Sequence, residues 1–80
     1  MHTEPIHEEY RKIVGRNIYL ARRSKGMKIT TLAKMAEVSY SVISQVENGI
    51  YESLKQDLLV SIARCLKLSM QDLYRKTEEE

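Results

Sequence analysis

The chain of 80 residues has room for one small domain with a single hydrophobic core and excludes a multi-domain organisation. With 42% hydrophobic and 30% charged residues it has the composition of a soluble globule, and no apolar run reaches the roughly 18 residues that a transmembrane helix needs. The first nine residues are acidic where a secretory signal would be basic and then apolar, so we expect a cytoplasmic protein. The expected domain covers residues 1–80, with an ordered core over about 7–75.

The net charge of +2 conceals an uneven distribution along the chain. Residues 1–9 carry −3, residues 10–36 carry +8 without a single acid, and residues 37–80 carry −3. A basic segment of this density within a folded domain can attract a polyanion through screened electrostatics. The alternative is a solvated helix face rich in Lys and Arg, and charge alone leaves both interpretations open.

Apolar residues at helical spacing predict an all-α protein with five helices. The first helix spans roughly residues 7–25, because an apolar face recurs there every three or four residues and Gly26 follows in the position that ends many helices. A short second helix lies around residues 32–36, and a third begins after Ser39, a good N-cap. Since only about three residues separate the second and third helices, the two must cross steeply near Ala33, as in a helix-turn-helix.

The second half of the chain predicts a loop and two further helices. Residues 50–55 lack helical spacing, and the most apolar helix of the chain follows over residues 58–66. Ser69 and Asp72 have the spacing of a capping box, which predicts a short fifth helix from Met70 to about residue 75. Strands find no support, because no segment alternates strictly between apolar and polar residues.

A set of motifs along the chain points to one family. The motifs are Val14-Gly15, Ile18, Arg22, Gly26-Met27, Leu32-Ala33, Ala36, Val38-Ser39, Ile43-Ser44, Val46-Glu47-Asn48-Gly49, Ile62-Ala63, Leu66, Leu68-Ser69 and Asp72-Leu73. In their order and spacing they resemble the lambda-repressor-like (Cro and phage-repressor, or XRE) family of helix-turn-helix DNA-binding proteins. The match has no gap from residue 14 to residue 49 and covers about 60 residues in all. It implies a compact five-helix domain in which the second and third helices form the helix-turn-helix.

The resemblance implies that the third helix enters the major groove of double-stranded DNA and that the second helix points its N-terminus at a phosphate. Carried over position by position, four residues face the bases: Tyr40, Ser41, Ser44 and Gln45. Gln45 is the first choice, because its amide can donate to and accept from an adenine at once. The alternative for Tyr40 and Ser44 is an ordinary exposed position. Six residues are expected to contact phosphates: Lys28, Thr30, Ser39, Asn48, Tyr51 and Lys55.

The resemblance also implies an internal ion pair and a dimer. Arg22 and Glu47 match a pair that joins the first helix to the third. One helix-turn-helix touches only a few base pairs, so we expect a homodimer on two half-sites about 34 Å apart. The expected interface lies at the end of the fourth helix and in the fifth, whose apolar residues exceed what a small core can use: Cys65, Leu68, Met70, Leu73 and Tyr74.

Three features depart from the family pattern. Ile29 stands where members commonly have a phosphate-binding Gln, so another group must replace that contact. Glu37 and Lys67 stand where glycine is common, and each costs on the order of 1 kcal/mol if its backbone is left-handed. No Lys or Arg occurs between Lys34 and Lys55, so a basic face on the first two helices must supply most of the attraction to phosphate.

Catalysis has little support in the sequence. No zinc-ligand spacing and no nucleophile with a base and an orienting partner can be assembled, and the three glycines are too far apart for a phosphate-binding loop. Cys65 is the single cysteine and is expected to be a reduced, buried thiol. We therefore expect no enzyme, cofactor, metal, membrane partner or small-molecule ligand.

Two functions remain. The first is a transcriptional regulator associated with the nucleoid, a homodimeric repressor or controller that reads a palindromic operator. The second is a protein-binding module, such as an antitoxin or antirepressor, which uses the same fold with weak or no specific DNA binding. Because the fold takes nearly all of the 80 residues, control is expected to come from protein concentration, from dimerisation or from a regulatory protein as a second partner.

Overall fold

Five α-helices make up the part of the chain that the computed structural model describes, residues 4–76. In chain order they are α1 (Glu8–Ser24), α2 (Ile29–Ala36), α3 (Tyr40–Glu47), α4 (Gln56–Leu66) and α5 (Met70–Leu73). The prediction of an all-α fold with five helices is confirmed. The ends of the expected domain, residues 1–3 and 77–80, lie outside the described residues. None of the five helices is both long and apolar enough to cross a membrane.

Side-chain caps set the starts of α3 and α5. The hydroxyl of Ser39 accepts a hydrogen bond from the N–H of Val42 at 3.2 Å. At α5 the Ser69 hydroxyl accepts from the N–H of Asp72 at 3.1 Å, while the Asp72 carboxylate accepts from the N–H of Ser69 at 2.9 Å. Both bonds lower the pKa of Asp72, and the bond to the backbone of Ser69 has the larger effect. Both starts lie where the sequence predicted them.

The helix α2 begins at Ile29, directly after Lys28, and α4 begins at Gln56, directly after the expected loop of residues 50–55. Each follows a lysine N-cap, Lys28 or Lys55, whose side chain makes no capping hydrogen bond. Because a lysine carries no acceptor for the exposed N–H groups, neither start has a signal in the sequence.

Two non-glycine residues end helices in the left-handed conformation. Glu37 closes α2 at φ +59° and Lys67 closes α4 at φ +58°. These are the positions where glycine is common in the family. Each side chain costs on the order of 1 kcal/mol there relative to glycine, which the packing of the two helices must offset.

The core draws on all five helices and on the loop before α4. Its buried apolar residues are Val14, Ile18, Leu32, Ala33, Ala36, Ile43, Val46, Leu54, Leu59, Ile62, Ala63, Leu66 and Leu73. Ala33 retains 4% exposure, so a larger side chain on this part of α2 would find no space without moving its neighbours.

Two glycines bring α1 close to the C-terminal end of α3. A Cβ atom at Gly15 would overlap the carbonyl oxygen of Val46 and lie 2.9 Å from that of Glu47. A Cβ atom at Gly49, whose φ is +73°, would lie 2.8 Å from Cγ of Lys12. The position of α3 relative to α1 therefore depends on the missing side chains at both residues.

Three expectations change with the structure. Leu73 is fully buried in the core of the single chain and offers no surface to a second copy. The prediction that it belongs to the dimer interface is therefore wrong. Cys65 is half-buried, where the sequence predicted a buried thiol. The ordered region begins before residue 7, since Ile6 donates its N–H to the carbonyl of Leu54 at 2.8 Å and Pro5 pairs with the residue after Leu54 in an isolated bridge.

Candidate nucleic-acid interface

One side of α3 packs into the core and the opposite side faces solvent. Ile43 and Val46 are fully buried. The residues at two successive turns on the other side form the α3 strip: Tyr40, Ser41, Ser44 and Gln45. Tyr40 is 56% exposed and Ser41 is exposed, while the last two are half-buried. The four residues predicted to face bases thus form one continuous polar surface, as the helical period requires.

Hydrogen bonds within the α3 strip restrict its side chains. The Nε2 of Gln45 donates to the hydroxyl of Ser41 at 2.9 Å. The amide keeps its oxygen and a second N–H, and the Ser41 hydroxyl keeps its own proton, so the pair still presents donors and an acceptor. At the end of the helix, Nδ2 of Asn48 donates to the backbone carbonyl of Ser44 at 2.7 Å. The predicted phosphate contact Asn48 is therefore also a C-terminal cap of α3.

A buried ion pair joins α1 to α3. The Nε and Nη2 atoms of Arg22 donate to the two carboxylate oxygens of Glu47 at 2.6 and 3.0 Å. The two side chains retain 8% and 5% of their exposure. The hydrogen bond to Glu47 raises the pKa of Arg22 above its ordinary value. The third donor, Nη1, bonds the carbonyl of Met27 at 2.7 Å, so the same guanidinium also holds the turn before α2.

The basic segment of residues 10–36 is not one charged face. The pairing above removes Arg22 from the surface, and Arg11 is half-buried. The exposed cations of the segment are Lys12, Arg23, Lys25, Lys28 and Lys34. The expected basic face on α1 and α2 is therefore weaker than the count of eight Lys and Arg residues implied, because one cation is neutralised inside the fold.

Two shallow clefts lie beside the α3 strip. The α2 cleft, about 380 Å³, is lined by Arg22, Arg23, Lys28, Ile29, Thr30 and Tyr40. The α1 cleft, about 430 Å³, is lined by Arg16, Tyr19, Arg22, Ile29, Ser44, Glu47 and Asn48. They share the ion-paired Arg22 and the half-buried Ile29. Together they connect the N-terminus of α2 with the C-terminal half of α3.

The structure brings some of the predicted phosphate contacts together and leaves others apart. Lys28 and Thr30 line the α2 cleft, and Asn48 lines the α1 cleft. Tyr51 is half-buried and lines neither cleft. Lys55 is exposed at the N-cap of α4, on the segment that pairs with the N-terminal residues. Ser39 remains exposed at the N-cap of α3.

Sequence reasoning missed the residues of α1 that line the clefts. Arg16, Tyr19 and Arg23 follow one another at intervals of three and four residues, which places them on one side of the helix. That spacing is visible in the sequence. The sequence predicts a basic face on the first two helices that attracts phosphate, but charge does not single out these three residues, because basic residues on an exposed helix face are common.

Among residues 4–76, no group of three or more His, Cys, Asp or Glu side chains is arranged to hold a metal ion. Apart from the Glu47 carboxylate, which is paired with Arg22, the polar side chains named for the clefts and the α3 strip are amides, hydroxyls, guanidiniums and amines. They can donate hydrogen bonds to anionic oxygens and to the acceptors on base edges.

The comparison with known families identifies the family in which this arrangement of helices occurs. A helix-turn-helix family model matches residues 18–73. The chain belongs to the helix-turn-helix family of the lambda-repressor-like (XRE) type. The match includes α2, α3 and every buried core residue except Val14, so the resemblance seen in the sequence is confirmed.

Several individual proteins that are similar to this chain are transcription regulators. The HTH-type transcriptional regulator SlrR of Bacillus subtilis (strain 168) is 31% identical over 62 residues, which are 78% of this chain and 41% of SlrR. The crystal structure of the clp gene regulator ClgR from Corynebacterium glutamicum has a TM-score of 0.75 at 30% identity, covering 88% of this chain and 70% of that one. The hypothetical transcription factor NHTF from Neisseria shares the fold, with a TM-score of 0.80 at 21% identity over 99% and 91% of the two chains. Transcription regulators are typically not enzymes.

Loss of one partner of the buried pair should destabilise the fold. Replacing Arg22 by Met keeps most of the side-chain volume but leaves the Glu47 carboxylate buried without its partner. We expect Arg22→Met to lower the free energy of unfolding by about 3 kcal/mol or more, measured by urea denaturation followed by circular dichroism.

Two controls accompany this variant. In Arg22→Met/Glu47→Leu no buried charge is left unpaired, so the double variant should recover most of the lost stability. Arg64→Ala, at an exposed position of α4, should change stability by no more than about 0.5 kcal/mol. An Arg22→Met protein as stable as the wild type would show that the pair is solvated in solution.

Proposed function

We propose that the protein is a sequence-specific DNA-binding transcriptional regulator, a homodimeric repressor or controller that reads a palindromic operator through the major groove. The observation that carries the proposal is the α3 strip: a polar, outward surface on a helix whose orientation is held by the buried pair of Arg22 and Glu47. An α-helix fits the width of the major groove, where amides and hydroxyls can distinguish base pairs.

In this proposal the α3 strip reads bases. The amide of Gln45 pairs with an adenine edge, and its bond to Ser41 holds it in one orientation before DNA arrives. Ser44 reaches a base edge only where the backbone comes close, and Tyr40 contacts a thymine methyl group or a phosphate. Since these side chains carry no charge, they contribute discrimination and not general attraction.

Phosphate contacts surround the strip in the proposal. Lys28 and Thr30 lie at the N-terminus of α2, where backbone N–H groups and the helix dipole favour an anion. The Ser39 hydroxyl accepts from the backbone and so keeps its proton to donate. Asn48, Tyr51 and Lys55 contribute further contacts at and after the end of α3. Such contacts position the protein without specifying sequence.

Variants of Gln45 and Lys28 separate the two roles. Selection from a random DNA pool at low salt should return an enriched motif with two half-sites. On that motif, Gln45→Ala should cost about 1 to 3 kcal/mol and relax the preference at one position of each half-site. Lys28→Ala should weaken binding to every sequence and reduce the slope of log K against log salt by about 1. Equal effects of both variants on all duplexes would contradict the assigned roles.

The proposed dimer uses the surface formed by the end of α4 and α5. Because Leu73 is buried and does not belong to this surface, the candidate interface comprises four half-buried residues: Cys65, Leu68, Met70 and Tyr74. A second copy that covered them would bury apolar area that the single chain leaves in contact with water.

Analytical ultracentrifugation tests the dimer directly. At micromolar concentration on the selected duplex, we expect two chains per DNA molecule, because one helix-turn-helix reads too few base pairs for specific affinity. A mass of one chain, both free and on DNA, would contradict the dimer.

The uncharged α3 strip favours a second candidate function, a protein-binding module of the antitoxin or antirepressor kind. No Lys or Arg lies between Lys34 and Lys55, and a surface without charge suits a protein partner better than a polyanion. This function predicts that DNA selection at low salt returns no enriched motif, which distinguishes it from the first.

A further inference from the structure

We infer that Tyr19 and Arg23 of α1 form a phosphate-binding pair that holds one backbone phosphate of the DNA beside the N-terminus of α2. The inference rests on the DNA binding proposed above and assigns to α1 a contact that the sequence did not indicate.

The two side chains are already organised by contacts within α1. Nη1 of Arg23 donates a hydrogen bond to the hydroxyl of Tyr19 at 2.8 Å, across one helical turn. The centroid of the Tyr19 ring lies 5.5 Å from the guanidinium of Arg23 and 5.6 Å from that of Arg22. Arg22 is buried and bound to Glu47, so its contact with the ring helps to hold Tyr19 in place. Both members of the pair are exposed, Tyr19 at 39%.

Their hydrogen-bonding chemistry suits an anionic oxygen. A tyrosine hydroxyl that accepts from Arg23 keeps its own proton to donate, and a guanidinium that uses one N–H toward Tyr19 keeps its others. The two residues therefore present neighbouring donors, and the planar guanidinium matches the tetrahedral oxygens of a phosphate better than an amine does. Because the pair is formed before binding, less side-chain freedom is lost when a phosphate arrives.

The pair also lies at the junction of the two clefts. Tyr19 lines the α1 cleft and Arg23 lines the α2 cleft. Ile29 lines both and offers no hydrogen bond, so donors from α1 flank an apolar side chain at the start of α2. Among residues 4–76, Glu47 is the one acid that lines either cleft, and its pairing with Arg22 neutralises it, so it does not repel a phosphate there.

The cleft residues on either side belong to the proposed DNA surface. Lys28, Thr30 and Tyr40 line the α2 cleft, and Ser44 and Asn48 line the α1 cleft. A DNA backbone that contacts both groups must pass over the junction, where Tyr19 and Arg23 meet it.

Three variants test the pair on the duplex that the wild-type chain selects. Arg23→Ala should weaken binding to all sequences about three- to tenfold and reduce the salt slope by about 0.9. Tyr19→Phe, which keeps the ring against Arg22 and removes only the hydroxyl, should weaken binding about threefold with the salt slope nearly unchanged. Lys25→Ala removes an equal charge from an exposed residue that lines neither cleft. It loses only general attraction and keeps the pair intact, so it should weaken binding by no more than about twofold and less than Arg23→Ala does.

A second measurement locates the partner phosphate. Each phosphate of one half-site is replaced in turn by an uncharged methylphosphonate. At one position the replacement should weaken DNA binding by the wild type and by Lys25→Ala. Binding by Arg23→Ala should not change there, because that variant has already lost the contact.

The outcomes separate the inference from the function on which it rests. If the wild-type chain enriches no motif and binds no duplex at low salt, both fail. If the wild type binds as proposed, but Arg23→Ala and Lys25→Ala have the same DNA affinity and salt slope and no methylphosphonate position distinguishes them, the inference alone is overturned. Circular dichroism melts of all three variants establish that the folded protein is compared in each case.

Discussion

The buried pair of Arg22 and Glu47 is the contact on which the orientation of α3 depends. One guanidinium bonds both carboxylate oxygens of α3 and also the carbonyl that precedes α2, so three elements share it. Burying two charges is costly, and a buried ion pair is by itself weak support for stability. Its main consequence here is geometric: with Gly15 allowing the backbones of α1 and α3 to approach, the pair admits one angle between them.

This constraint separates the chemistry of attraction from that of readout. The α3 strip carries an amide and hydroxyls, whereas the exposed cations of residues 10–36 lie on α1, on α2 and in the turn between them. In the proposed function, charge on α1 and α2 draws the DNA toward the surface, and the angle of α3 brings uncharged side chains to the base edges. In such a protein, affinity and sequence preference can change independently, since different helices carry them.

Much of the fold follows from local signals that a sequence displays. Helical spacing and the caps at Ser39 and Ser69 predicted five helices and the starts of two of them. The starts of α2 and α4 carry no such capping signal, because a lysine N-cap has no acceptor that marks it. The candidate base contacts came from the family resemblance, carried over position by position. In contrast, the burial of Leu73 and the pairing of Tyr19 with Arg23 depend on which helix faces meet, and the same spacing is compatible with several packings.

The central claim is that the Arg22–Glu47 pair positions α3 for reading DNA. The most direct test compares the affinity for the selected duplex with the affinity for random DNA, in the wild type and in a folded variant with Met at 22 and Leu at 47. If the pair sets the angle of α3, this ratio falls at least tenfold, about 1.4 kcal/mol, while affinity for random DNA stays the same. An unchanged ratio in the folded variant would contradict the claim.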